Sequence, residues 1–274
     1  MNVVTSFTLD GYKRYGKEFI ETFKRYWPRH VRLTVYYEGD GFEMEQGLSW
    51  HPIEEVEDLQ DYMECLKFPI MHGIVGESYD INFDARMARK AFIQAHACRQ
   101  YGGKVFWLDA DTITHSRVPN TFLDRCLPKD KFCCFLGRDG WYYTESGFLG
   151  FDADHPIASR FFKTYLHIFI TGVIFTQQGW HDCYGFDAAR KVVQRHDLFH
   201  NLAEGLPEGT MHPFVNSALG AYMDHRKGPR KTSRSTAKDL VIERREPYWN
   251  DSGVQPSTES ERIMSSGTDL QRQN

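Results

Sequence analysis

The chain has 274 residues, and 41% of them are hydrophobic and 15% aromatic, so it can bury the core of one large α/β domain or two small ones. A net charge of −4 argues against a non-specific binder of polyanions. The most apolar stretch, 161–176, is shorter than the roughly 20 residues needed to cross a bilayer, and residues 1–7 lack the basic region and cleavage site of a signal peptide. We therefore expect no transmembrane segment and a cytoplasmic location.

Up to residue 110 the sequence alternates between strand and helix patterns. Apolar spacing predicts strands at 2–7, 32–37 and 105–108 and helices at 12–27, 54–66 and 83–100. A strand–helix–strand opening favours parallel strands joined by a right-handed crossover. The fold class that we expect is α/β, with a central, mostly parallel sheet flanked by helices.

Beyond Pro119 the pattern predicts strands at 131–136 and 142–151, and helices at 156–170 and from Asp187 to about His196. Asp187 is interpreted as the cap of that last helix. Residues 251–274 are rich in Ser, Gln, Thr and charge with almost no large apolar side chain, which predicts a flexible C-terminal tail.

Two carboxylates follow the strand at 105–108, in the sequence Asp109-Ala110-Asp111. Ligands bind at the carboxyl ends of strands in α/β sheets, and paired carboxylates suit a hard cation such as Mg²⁺ or Mn²⁺. A second Asp-Ala-Asp, at 152–154, is interpreted differently, because Pro156 and a helical pattern follow it. There we expect Asp154 to be an N-cap. The first copy has no helix start nearby and predicts a metal–diphosphate site.

A second motif, His225-x-x-Gly228-x-x-Lys231, carries groups that suit a leaving diphosphate. An imidazole can complete the coordination of a metal, a glycine permits close approach of the backbone to phosphate, and an ammonium offsets the charge of the diphosphate. The alternative is a basic loop without a catalytic role.

With both motifs, the chain resembles the GT-A glycosyltransferases, most closely the retaining, metal-dependent group that includes glycogenin and the bacterial lipopolysaccharide galactosyltransferases. The resemblance implies a single GT-A (Rossmann-like) domain over 1–250, with a nucleotide-sugar-binding half at about 1–112 and the acceptor side and diphosphate motif at 113–250. It also implies that Asp109, Asp111 and His225 bind Mn²⁺ or Mg²⁺, that Asp109 lies near the ribose, and that Gly228 and Lys231 contact the diphosphate.

The same resemblance covers the opening strand and the helix before the metal motif. It implies nucleoside contacts for Thr5 and Tyr12 and donor contacts for Arg86 and Lys90. The chain departs from those relatives after Lys231, where they usually have Pro-Trp and Thr232 and Ser233 stand here. On the acceptor side it has Glu145-Ser146-Gly147 and His181-Asp182-Cys183, where they often have Asn/Ser-Gly and Asp-Gln.

Glu145 and Asp182 are the candidate catalytic residues. Glycosyl transfer needs a carboxylate near the anomeric carbon, as a base in an inverting reaction or as a stabiliser of the cation in a retaining one. For Asp182 a turn or cap role is the alternative.

The segment 226–245 carries eight Lys and Arg against two acidic residues, a net charge of +6. Such a cluster is usually a solvated face, but it leaves open an anionic acceptor: nucleic acid, glycan or lipid phosphate. The function that we expect is transfer of a sugar, with retention, from a nucleoside-diphosphate sugar such as a UDP-sugar. The alternatives are a glycosyltransferase acting on a modified nucleic-acid base, a sugar nucleotidyltransferase, and a silent nucleotide or sugar binder.

Overall fold

A computed structural model describes residues 1–66, 81–138 and 142–251. Its strands are β1 (Asn2–Thr8), β2 (Arg32–Glu38), β3 (Ser49–Pro52), β4 (Lys104–Leu108), β5 (Thr112–Thr114), β6 (Cys133–Arg138), β7 (Tyr142–Asp152), β8 (Phe199–Asn201) and β9 (Met223–His225). Seven of them form the central sheet, in the order β3-β2-β1-β4-β7-β6-β8, and β5 pairs with β9 in a small second sheet.

The central sheet is mostly parallel. β1, β2, β3 and β4 pair in parallel, as do β6 and β8, while β7 runs antiparallel to β4 and to β6. This confirms the expected class, an α/β fold with a central, mostly parallel sheet flanked by helices.

The helices are α1 (Leu9–Gly11), which continues through a π-helical turn (Tyr12–Gly16) into α2 (Lys17–Tyr26), then α3 (Glu57–Cys65), α4 (Ile81–Tyr101), α5 (Phe122–Cys126), α6 (Ala158–Ile170), α7 (Asp182–Val193), α8 (Pro213–Asn216) and α9 (Pro247–Asp251). Short 3₁₀ helices span Ile53–Glu55, Val173–Thr176, His196–Leu198, Ala218–Ala221, Gly228–Thr232 and Ala237–Asp239. None of the helices among the described residues has both the length and the apolar character needed to cross a membrane.

Alternation along β4 divides the interior into two cores. Val105 and Trp107 pack with the core that contains residues of α4, α6 and α7. Phe106 and Leu108 belong to the other core, with residues of α2, α5 and α8. Successive side chains of a strand point to opposite faces, so β4 is covered on both sides and its polar residues come only after its end.

Two expectations about helix starts were wrong. α6 begins at Ala158 with Ile157 at the N-cap position, and the Asp154 N–H donates to Asp152 Oδ1 at 3.2 Å, so Asp154 lies in a turn before the helix. α7 begins at Asp182, so Asp187 lies inside the helix rather than at its cap. Its carboxylate accepts hydrogen bonds from the backbone N–H and the hydroxyl of Thr144, at 2.9 and 2.7 Å, and so joins α7 to β7.

The other elements lie within a few residues of the predicted bounds. The predicted flexible tail lies outside the described residues except for its first residue.

Candidate metal and donor site

Asp109 follows β4 directly, and its backbone N–H and both of its carboxylate oxygens have close polar neighbours. Its backbone N–H donates to the carbonyl of Gly147 on β7, at 2.9 Å. Its Oδ1 accepts hydrogen bonds from the indole N–H of Trp107 at 2.6 Å and from Lys90 Nζ at 2.8 Å. The other oxygen, Oδ2, lies 3.5 Å from Nε2 of His225.

The small second sheet brings Asp111 beside His225. Thr112 of β5 pairs with His225 of β9, and the Arg226 N–H donates to the carbonyl of Asp111 at 3.0 Å. As a result, His225 Nε2 lies 3.2 Å from Asp111 Oδ1. One ligand atom each from Asp109, Asp111 and His225 lie within 4.8 Å of one another, so the structure brings together the three residues predicted as metal ligands.

The charged groups of this site shift one another's pKa. Burial raises the pKa of Asp111, but His225 and Lys231 outweigh that effect and lower it to about 2. Burial lowers the pKa of His225, but Asp111 and Glu145 outweigh it and raise it to about 9. In the metal-free protein at neutral pH, Asp111 is therefore ionised and His225 is protonated.

The second motif lies against the first. Gly228 opens the 3₁₀ helix Gly228–Thr232 at a φ of +56°, a left-handed conformation that favours glycine. Lys231, on the same turn, has its Nζ 3.3 Å from Asp111 Oδ2 and 5.0 Å from the centre of the Tyr15 ring. Its side chain is 36% exposed, so the ammonium borders both the carboxylates and solvent.

Lys90 connects Asp109 to the first residue of α7. Its Nζ lies 2.8 Å from Asp109 Oδ1 and 3.2 Å from Asp182 Oδ2, which brings one of the predicted catalytic carboxylates into the group. Burial lowers the pKa of Lys90, but the two carboxylates outweigh it and raise it above its ordinary value. Arg86 lies one turn earlier on α4, with an exposed side chain.

Thr5 and Tyr12, the two predicted nucleoside contacts, are both buried. Thr5 is fully buried on β1, and its hydroxyl has no hydrogen-bond partner among the described residues. Tyr12 is 6% exposed and packs against Phe7 and Phe42, each with ring centres 5.6 Å away. On this helical segment, Tyr15 is the ring beside Lys231.

Glu145, the other predicted catalytic residue, is 2% exposed and lies on the far side of the His225 ring from Asp111. His212, which is buried beside it, was not predicted. His212 directly precedes Pro213 in a short connection, and nothing local in the sequence distinguishes it from a core histidine.

The basic segment 226–245 is largely paired. Six of its eight cations lie beside carboxylates: Arg226 with Glu18, Lys227 with Glu145, Arg230 with Asp239, Lys231 with Asp111, Arg244 with Glu246, and Arg245 with Glu243. Arg234 lies over the Tyr248 ring, and Lys238 is exposed. The net charge of the segment therefore overstates the positive surface that a partner would meet.

No protein-family model matches the chain, and no curated protein matches it in sequence. Among solved structures, mouse xyloside xylosyltransferase 1 is similar at a TM-score of 0.46 and 10% identity, over 74% of this chain and 85% of that one. The bifunctional glycosyltransferase WbbM is similar at 0.46 and 12% identity, over 74% of this chain and 38% of that one. The glycosyltransferase GlyE of Streptococcus pneumoniae is similar at 0.43 and 12% identity, over 73% and 44%. This chain thus spans less than half of WbbM and of GlyE.

Proposed function

We propose that the protein is a metal-dependent glycosyltransferase that moves a sugar, with retention, from a nucleoside-diphosphate sugar, in the first place a UDP-sugar. The observation that carries the proposal is the convergence of Asp109, Asp111 and His225, whose ligand atoms come within 4.8 Å of one another although His225 is more than a hundred residues from the aspartates. Lys231, from the same turn as Gly228, lies at this group as well.

The donor atoms fit Mn²⁺ or Mg²⁺. Two carboxylates and one imidazole supply mainly oxygen with one nitrogen, and the ion would take its remaining ligands from phosphate and water. When bound, the ion would neutralise charge that develops on the diphosphate as it leaves. The carboxylate of Asp111, with its pKa lowered to about 2, is in the ionised form that such an ion needs.

Lys231 and Gly228 would bind the diphosphate. In the transfer, the bond between the anomeric carbon and the diphosphate oxygen breaks and its electron pair goes to the diphosphate, so a fixed ammonium beside that oxygen is most useful in the transition state. Lys231 Nζ lies at the rim of the carboxylate group with part of its side chain in solvent. The left-handed backbone at Gly228 leaves its Cα face open, and a Cβ built there would have no atom within 4 Å.

Asp182 and Lys90 are our candidates for the groups that meet the sugar. The Asp182 side chain is 14% exposed and is joined through Lys90 to Asp109, which places the carboxylate at the same end of β4 as the metal ligands. In a retaining reaction, Asp182 would stabilise positive charge at the anomeric carbon, and Lys90 would hold the carboxylate in place. In an inverting reaction, the same carboxylate would be the base.

For the acceptor, we keep the anionic class as a hypothesis that rests on two residues. Arg234 and Lys238 are exposed, whereas Arg230 is paired with Asp239. If the acceptor is nucleic acid, the double variant R234A/K238A should bind it less tightly and with a flatter salt dependence. A gel shift at low salt that detects no DNA or RNA binding at micromolar protein would exclude nucleic acid, and with it transfer to a modified base.

The proposal is tested by incubating the protein with Mn²⁺ and a panel of UDP-sugars, and measuring UDP, pyrophosphate and free or transferred sugar. A glycosyltransferase releases UDP without pyrophosphate, a sugar nucleotidyltransferase handles pyrophosphate, and a silent binder yields neither. Asp111→Asn should abolish UDP release. Asp154→Asn is a matched control, because it changes the exposed last residue of the second Asp-Ala-Asp. That motif lies at the C-terminal end of β7, which pairs with the first residue of β4 and so lies at the opposite end of β4 from Asp109. The anomeric configuration of the product, read by NMR, tests retention.

A further inference from the structure

Two residues of β7 face the His225 ring: one supplies a carboxylate, and the other is a glycine without a side chain. Glu145 and Gly147 lie two residues apart on this strand, and both face the His225 ring. Oε1 of Glu145 lies 3.0 Å from Nδ1 of His225. A Cβ built at Gly147 would lie 2.4 Å from Cε1 and 2.5 Å from Nδ1 of that ring, so the imidazole packs directly on the backbone of the strand.

The carboxylate of Glu145 is itself held. His212 Nδ1 lies 3.2 Å from Oε2, Arg138 donates to Oε2 at 3.4 Å, and Lys227 Nζ lies 3.2 Å from Oε1. The other nitrogen of His212, Nε2, lies 3.0 Å from the backbone carbonyl of His225. His212 therefore bridges the carboxylate of Glu145 and the backbone carbonyl of His225.

We propose that Glu145 and His212 are positioning residues that fix the orientation and tautomer of His225 for metal binding, an inference that rests on the proposed function because it takes Asp109, Asp111 and His225 as the metal ligands. A histidine that binds a metal through one ring nitrogen almost always donates the N–H of the other to a carboxylate, carbonyl or water. Here Nδ1 faces Glu145, and Nε2 faces Asp111 and Asp109. A proton kept on Nδ1 leaves the lone pair of Nε2 directed at the space between the two aspartates.

This role differs from the catalytic one that the sequence suggested for Glu145. A base or cation stabiliser must reach the anomeric carbon, whereas both oxygens of Glu145 are engaged and the residue is 2% exposed. Glu145 acts on the reaction only through His225.

The test is the affinity for Mn²⁺ alone, measured by calorimetry, in Glu145→Gln and His212→Gln. Loss of the partner of a metal-binding histidine typically weakens metal affinity about 10–100-fold, and we expect that range for Glu145→Gln and a smaller loss for His212→Gln. Asp187→Asn is the matched control: its carboxylate is also buried and also holds β7, through Thr144, but makes no contact with His225. It should lower stability without lowering Mn²⁺ affinity.

A measurement on the wild-type protein does not depend on any variant folding. With ¹⁵N-labelled histidine and Zn²⁺ as a diamagnetic probe, the NMR signals of His225 should show the metal at Nε2 and a retained proton at Nδ1. Metal at Nδ1, or Mn²⁺ affinity in Glu145→Gln equal to that of the wild type, would overturn the positioning role. If Asp111→Asn also binds Mn²⁺ like the wild type, the metal site itself is wrong, and the failure lies in the proposed function.

Discussion

The ammonium of Lys90 lies 2.8 Å from Oδ1 of Asp109, with only 11% of the lysine side chain exposed. The Asp109 side chain is 27% exposed, so this ion pair is screened less than one on the surface, and breaking it removes the cation from a largely buried carboxylate. Since Lys90 also contacts Asp182, it balances two carboxylates in the metal-free protein.

Lys90→Met should therefore destabilise the metal-free protein by about 1–3 kcal/mol, because it leaves both carboxylates short of a partner. Mn²⁺ should recover more stability in the variant than in the wild type, since a cation at Asp109 replaces part of the lost charge. Thermal unfolding with and without Mn²⁺ measures both effects. Lys24→Met is the control, because Lys24 pairs with Glu45 but is 47% exposed, and its change should be about 0–1 kcal/mol. Equal melting temperatures for Lys90→Met and the wild type without metal would contradict this account of Lys90.

Gly147→Ala should weaken Mn²⁺ binding, because the new methyl group would occupy the space of the His225 ring. Overpacking of this kind also costs about 1–3 kcal/mol of stability. Gly209→Ala serves as the control: Gly209 has a φ of +80° and no atom near its Cβ position, so the substitution strains the backbone without touching the site. The interpretation fails if the two variants lose the same stability and neither loses affinity for Mn²⁺.

The pH dependence of the metal-free protein follows from the shifted pKa values of His225 and Asp111. The pKa of His225 is raised from 6.5 to about 9, so its contribution to stability is complete below pH 6.5 and is lost as the pH rises towards 9. The pKa of Asp111 is lowered from 3.8 to about 2, so its contribution is present above pH 3.8 and is lost as the pH falls towards 2. The free energy of unfolding in urea should accordingly decrease between pH 6.5 and 9, and less so in His225→Gln.

Metal binding should show the opposite trend in the same range. A metal at Nε2 displaces the proton that His225 carries below pH 9, so the affinity for Mn²⁺ should rise with pH from about 6.5 to 9. Calorimetry in buffers of different ionisation enthalpy would count the released proton. An affinity that is flat over this range would show that His225 does not bind the metal.

Lys231→Ala should lower kcat/KM for donor hydrolysis, because a charge-assisted contact to the leaving group is lost. We expect the loss of transition-state stabilisation to be about 2–4 kcal/mol. The melting temperature should change little, since the side chain is 36% exposed. Lys238→Ala removes an exposed lysine from the same basic segment and should leave hydrolysis unchanged. Equal rates for both variants would mean that the match to His-x-x-Gly-x-x-Lys is accidental.

The placement of the aspartate pair was accessible from local patterns in the sequence, whereas Lys90 was indicated only by the resemblance to the GT-A glycosyltransferases. Val105 to Leu108 is apolar and ends at Asp109, and α4 leads directly into that strand. Local spacing therefore sufficed for the fold class and for the position of the two aspartates after β4.

The environment of His225 was not accessible in the same way. It depends on the pairing of Thr112 with His225 and on β7 lying beside β4, contacts between segments far apart in the sequence. The location of Glu145 behind the ring follows from that register, and His212 comes from a separate connection. The cap predicted at Asp187 failed for a related reason, since the helix begins at Asp182 and the Asp187 carboxylate bonds to Thr144 on a neighbouring strand.

The most direct test of the central claim is calorimetric titration of UDP in Mn²⁺ and in EDTA, with the wild type, Asp111→Asn and Asp154→Asn. We expect wild-type and Asp154→Asn protein to bind UDP in Mn²⁺ but not measurably in EDTA, and Asp111→Asn to lose the metal-dependent binding while keeping its fold, as checked by circular dichroism. Equal affinity of the wild type for UDP in Mn²⁺ and in EDTA would contradict the metal-dependent donor site.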